Sequence, residues 1–203
     1  MGFTRAELEE YRDHEVDDLV GPGLKLLFVG INPGLWTAAV NTHFAHPVNR
    51  FYPALALAGI SAYEIDRAAG MSDADRADLI ARGVGITNLV RRATARADEL
   101  SREELRAGGE RLLRFVAEHR PKVVAIAGIT AYRDAFGERG AKAGRQPETL
   151  ESAARWSGAA LWVVPNPSGL NAHETVATLA AAYAAPAAEA GVISPARSIE
   201  SSP

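Results

Sequence analysis

The chain has 203 residues, 47% hydrophobic and 23% charged, a balance ordinary for one folded domain with a sizeable core. It contains no cysteine, which excludes a disulfide framework, a thiolate nucleophile and a cysteine metal site. The net charge of −3 does not advertise a nucleic-acid binder, and the acidic start lacks the basic-then-apolar order of a secretory signal. No run approaches ~18 apolar residues, so a cytoplasmic location is the default expectation.

Thr4 and Glu7 make a capping box that predicts a first helix from Arg5 to about Val16. Lys25 to Val29 reads as a buried strand between Gly21-Pro22-Gly23 and Gly30. Helices are predicted at 49–58, ended by Gly59, and at 73–82, stopped by Gly83. Residues 85–90 form a short second strand running into a loop. A second capping box, Ser101 with Glu104, opens the longest helix, which stops before Pro121. Leu105, Leu112, Leu113 and Val116 give it an inward stripe.

Val123 to Ala127 is a third strand, followed at Gly128 by a helix to about Phe136. Residues 137–158 are polar, glycine-bearing and read as irregular. Leu161 to Val164 is the fourth strand, and 174–185 the last helix. Residues 1–190 are expected to form a single domain, with 191–203 a tail whose composition, above all from Pro195, is that of a disordered segment. Strands alternating with helices indicate an α/β layered fold around a short parallel sheet of about four strands. Their order is not readable from this pattern.

Two loops sit where such a sheet binds ligands, at the carboxyl ends of buried strands. One is Gly30-Ile31-Asn32-Pro33-Gly34; the other is Asn166-Pro167-Ser168-Gly169-Leu170-Asn171. Asn32 is expected to project into the crevice above the sheet. An amide positions water and accepts from it, but it cannot abstract a proton as a carboxylate does. Hydrolysis here would rest on positioning and on stabilising developing charge. The plainer reading is a tight turn, since Asn, Pro and Gly are the usual turn residues. Leu170 is either an apolar wedge of the kind that fills an emptied base stack or a core residue opening the last helix.

Between the loops, Phe44 suits stacking on a planar ligand and Arg50 suits contact with a phosphate. His43 and His46 find no further residue to complete a metal site. Arg91, Arg92 and Arg96 form a local basic patch, against an acidic stretch over residues 7–18. The alternative for that patch is a solvated loop.

Taken in order, Gly30 to Gly34, Phe44 with Asn49-Arg50-Phe51, Gly85 to Asn88, Glu104 to Gly109 and Asn166 to Asn171 resemble the mismatch-specific uracil-DNA glycosylases, which belong with the thymine-DNA glycosylases. The similarity spans roughly residues 24 to 184. It implies a three-layer α/β/α sandwich with no cofactor and no metal. It also implies excision of uracil, and of thymine or bulkier damaged pyrimidines such as ethenocytosine, opposite guanine in double-stranded DNA. By that resemblance Asn32 positions the attacking water and Phe44 stacks on the flipped base, with the backbone at Ile31 reading the pyrimidine edge. Asn166 lies near base and sugar, and Gly169 and Leu170 form the wedge, flanked by Ser168 and Asn171. Arg50 and Arg91 are the candidate phosphate contacts.

Gly34 replaces a bulky aromatic of uracil-specific relatives, so a roomier pocket is expected. Bacterial relatives carry an arginine two places after the wedge leucine; here Ala172 stands there, followed by His173. Asp98 is either a second carboxylate or a solvated loop acid. A monomer acting on DNA as a monofunctional glycosylase is the leading expectation. A mismatch or abasic-site binder with negligible turnover is the alternative, and a small-nucleotide-binding protein ranks below it because no P-loop lysine is present.

Overall fold

The computed structural model describes residues 2–194. The segment 195–203, where most of the expected tail falls, lies outside the described residues. Four strands run parallel, β1 (Leu26–Gly30), β2 (Val84–Asn88), β3 (Val123–Ala127) and β5 (Ala160–Val164). A fifth, β4 (Gly144–Arg145), pairs antiparallel with β5 and brings the total above the expected four. The order is β2-β1-β3-β5-β4. From β1 the chain goes to β2 on one side, and β3 then pairs on the other. The crevice outside the carboxyl ends of β1 and β3 is therefore the switch point at which open α/β sheets bind ligands.

The strands' period of two builds the three layers. From β1, Leu26 and Phe28 join Phe51, Tyr52, Leu55, Leu179 and Tyr183 on one face. Those partners come from α3 (Phe51–Leu57) and α8 (Val176–Ala190). Leu27 and Val29 point the other way, into Leu112, Val116, Tyr132 and Phe136 of α5 (Arg102–His119) and α6 (Ile129–Phe136). Every residue of β1, β2 and β3 is buried. This is the pattern expected of parallel strands covered on both sides.

The first helix is shorter than expected. α1 (Arg5–Glu9) keeps its Thr4–Glu7 capping box but stops well before Val16. Tertiary pairing overrides local propensity there: Asp13 has φ 63° and its N–H donates to Ala93 O, while Leu19 bridges to Ile86. The stretch expected to be irregular holds β4 and α7 (Leu150–Arg155), capped by Thr149. α2 (Leu35–Ala39) follows the first loop directly, and α4 (Asp73–Ala81) lies where expected. α8 continues through Pro186 to Ala190, and Val192 and Ile193 pack on the core beyond it. No helix among the described residues is long and apolar enough to cross a membrane.

Two glycines of α5 bring the helix close to its neighbours, Gly108 against the loop that follows β2 and Gly109 against α6. A Cβ at Gly108 would stand 2.4 Å from Leu89 O, and one at Gly109 would stand 3.0 Å from Ala135 O. Contact this close is possible only without side chains. It fixes the backbone of residues 88–94 behind the crevice.

Candidate active site

A cavity of about 680 Å3 opens at the carboxyl ends of the parallel strands. It is lined by Ile31, Asn32 and Gly34 from the first loop, by Phe44, and by Asn166, Ser168, Gly169, Leu170 and Asn171 from the second. The two distant asparagine loops therefore face one space. A Cβ built on Gly128 would lie 3.6 Å from Ile31 Cδ1 and 3.9 Å from Asn166. Arg50 and Arg91 do not line the cavity. A second hollow, of about 690 Å3, lies at the amino end of β5 over Tyr132, Trp156 and Leu161, away from both loops.

Asn32 is held by its nitrogen. Nδ2 lies 3.1 Å from Pro33 O, 3.1 Å from Arg92 O and 2.8 Å from Thr94 Oγ1. The Thr94 hydroxyl donates its own hydrogen to Arg96 O, so toward Asn32 it can only accept. Turning the amide over would set Oδ1 against two carbonyls, so the orientation is fixed by its neighbours. Oδ1 has no donor among the described residues and is left as an acceptor for the cavity.

Asn166 is held by its oxygen. Oδ1 accepts from Ser168 N at 3.0 Å, which leaves Nδ2 as a donor without an acceptor among the described residues. Asn88, at the end of β2, also lines the cavity. Its Nδ2 lies 2.9 Å from His43 Nδ1, and His43 Nε2 lies 3.0 Å from Asp17 O. Asp17 O accepts only, so Nε2 carries the hydrogen and Nδ1 receives one from Asn88. Asn88 Oδ1 is thereby freed, over Gly30 and beside Phe44: a Cβ on Gly30 would meet it at 2.3 Å and Phe44 Cζ at 3.0 Å. The cavity thus presents two amide oxygens and one amide nitrogen on fixed supports.

This network needs a neutral His43. Burial lowers its imidazole to about 4, against a smaller opposing pull from Asp18. The unfolded chain binds this proton near pH 6.5 and the folded chain only near pH 4. The contribution is therefore complete above the unfolded value and lost as pH falls through that window, by about 3 kcal/mol at its lower end. Denaturant midpoints measured from pH 7 to 4.5 should decline less steeply in His43→Gln than in the parent. Equal slopes would remove His43 as the cause.

Phe44 offers one ring face. It stacks on Phe51 with centroids 4.2 Å apart and planes 27° apart, and it is held at φ 56°, an uncommon conformation for a bulky residue. Beside Gly34 there is open space, since a Cβ there meets nothing within 4 Å. Leu170 is 92% exposed, so it is no core residue of the last helix.

Three expectations change. Arg50 does not reach outward: its guanidinium donates to Ser168 O at 2.6 Å, Asn171 O at 2.7 Å and Glu174 O. Arg91 lies 2.9 Å from Glu15 and 3.8 Å from Asp18, and Arg92 binds Asp13 and Glu104. The acidic stretch near the start of the chain folds onto Arg91 and Arg92 and pairs with both, while Arg96 pairs with Asp98. Asn171, expected to flank the wedge toward DNA, turns its amide inward, with Nδ2 on Asn166 O and Oδ1 accepting from His173 N. Asp98 stands at the cavity mouth, paired with Arg96. His43 and His46 do not converge: His43 is buried in the amide network, and His46 is exposed and packs edge-on to Trp36.

Sequence reasoning counted Asn88 in a matching segment without giving it a role, and did not single out Thr94. Asn88 ends a strand at the same edge as Asn32, so the strand-end rule applied to it as well. A family model described as "Uracil DNA glycosylase superfamily" matches residues 18–186, well over half of the chain.

Proposed function

The chain belongs to the uracil DNA glycosylase superfamily, enzymes that act on uracil-type lesions in DNA, and on that premise we propose that it is a monofunctional, mismatch-directed member working as a cytoplasmic monomer. It flips uracil, and thymine or ethenocytosine, out of pairs with guanine and leaves an abasic site. The observation that carries this reading is the cavity shared by the two asparagine loops, with Asn32 Oδ1 held free inside it.

The chemistry follows from the groups present. The flipped base lies on the open face of Phe44, and Asn88 Oδ1 accepts from its edge. Water donates a hydrogen bond to Asn32 Oδ1 and attacks C1′. The new C1′–O bond forms as the C1′–N1 bond breaks; the bonding pair leaves with the base, and the proton that the water sheds passes to solvent. Asn166 Nδ2 is a donor for the charge that develops there. Neither loop supplies a strong base or a charged electrophile, each worth about a hundredfold or more. The chemical step is therefore slow, and weakly paired mismatches are favoured because they are cheaper to flip. The space beside Gly34 admits a C5 substituent, and one methyl contributes only ~1–3 kcal/mol of discrimination.

Single-turnover release of base from G·U, A·U and G·T duplexes, with the abasic product quantified, tests the assignment. Release from G·U ahead of A·U is expected. Selective binding of mismatched duplex without base release would favour instead a non-catalytic lesion binder, the reading that the lack of an ionisable group at Asn32 and Asn166 invites.

Thr94 acts through Asn32. Thr94→Ala removes one of three acceptors from Nδ2 and should slow excision by about tenfold while leaving duplex affinity within about twofold. Thr94→Ser keeps the hydroxyl and should recover most of the rate. An equal loss in both variants would mean that the hydroxyl is not what matters.

A further inference from the structure

Resting on the glycosylase reading above, we propose that Val48 and Leu170 form a two-residue apolar wedge, and that Arg50 is the clamp that holds it rigid. Leu170 is 92% exposed and Val48 59%, both on the rim of the cavity that holds Asn32 and Phe44. They belong to segments far apart in sequence but in direct contact. A Cβ on Gly169 would lie 2.5 Å from Val48 Cγ2 and 2.9 Å from Val48 O. Gly169 is therefore the point where the second loop rests on the strap that carries Phe44.

Arg50 makes that contact permanent. Its N–H donates to Pro167 O at 3.0 Å, and its guanidinium spreads over the carbonyls of Ser168, Asn171 and Glu174. Nε is buried without a partner, so the guanidinium is held inside the loop at some cost. Three carbonyls at different angles suit a planar fork of donors; an ammonium on a flexible stem does not reproduce it. The remaining polar bonds of residues 166–171 stay local, within residues 166–174. Without the guanidinium the loop keeps only the backbone bond from residue 50 to Pro167 O and the Gly169–Val48 contact, and ordering its tip becomes a cost of DNA binding. With Arg50, base platform and plug move as one body. A rigid aliphatic ridge can then occupy the gap left by an extruded nucleotide and meet the neighbouring bases.

The test compares uracil opposite guanine in a fully paired duplex with the same uracil inside a bubble of unpaired neighbours, where the stack is already broken. In single-turnover assays the paired-to-bubble rate ratio should fall about fivefold to tenfold in Val48→Ala, which removes two methyl groups that the wedge would bury against the neighbouring bases. In Arg50→Lys it should fall by about tenfold, and further in Arg50→Ala. Val48 is a surface residue, so its variant folds even if Arg50→Ala does not. An unchanged ratio in the Val48 or the Arg50 variants overturns the proposal. Parent protein that releases no base from either substrate would instead undo the glycosylase reading. In that case 2-aminopurine beside the uracil decides the wedge: fluorescence that rises on binding the parent but not the variants supports it, and an equal rise in all overturns it.

Discussion

Asn32→Ala should lower single-turnover excision by about a hundredfold to a thousandfold, and Asn32→Asp should also be slower than the parent at pH 7. The second result runs against simple base strength, since a carboxylate accepts a proton far better than an amide. The surroundings decide it. Asn32 Nδ2 faces Pro33 O, Arg92 O and a Thr94 oxygen whose hydrogen is given to Arg96. A carboxylate there would set an unshared oxygen against acceptors alone, and it would swing away or hold its proton. Either response removes the water from line with C1′. Rates measured across pH 6 to 9 check this, and an Asn32→Asp enzyme faster than the parent at pH 7 would mean that the amide is not held by its nitrogen.

Gly30→Ala should be nearly as damaging, although the residue offers no functional group. The added carbon meets Asn88 Oδ1 at 2.3 Å and Phe44 Cζ at 3.0 Å. Neither neighbour yields easily. Asn88 is tied through His43 to Asp17, and Phe44 is pressed against Phe51. Overpacking of this kind costs about 1–3 kcal/mol of stability. A displacement near 1 Å at the base platform costs about a hundredfold in rate. A thermal shift of a few degrees with a hundredfold loss of excision is the expected combination. Full activity with the same shift would mean that the base does not rest on this floor.

The layers were legible because buried parallel strands are short apolar runs, closed by glycine at β1 and β3, and β3 was bounded to the residue. What escaped was set by contacts distant in sequence. β4 has two residues, too few for any periodicity, and α7 buries none of its residues, so it has no stripe to read. α1 was overextended because nothing local announces that Asp13 pairs with Ala93. The site divides in the same way. Asn32, Asn166 and Leu170 stand on strand-end loops and Phe44 on the segment between α2 and α3, with chemistry that their residue types advertise. Thr94 works only through another side chain, and Arg50 looked like a surface cation because its three carbonyl partners lie more than 100 positions away. Strand order, which decides where the crevice falls, has no local signature at all.

The pairing of Arg91 with Glu15 and of Arg92 with Asp13 and Glu104 bears on how such a protein scans a genome. A cation already matched inside the protein displaces few counterions from the double helix, so these two arginines are expected to add little salt-dependent attachment to ordinary sequence. Encounters with intact duplex are then brief. On the proposed mismatch-directed reading, residence is then expected to be long only where a poorly held nucleotide yields, with thermodynamic fragility of the pair, in place of charge, as the signal that stops the search.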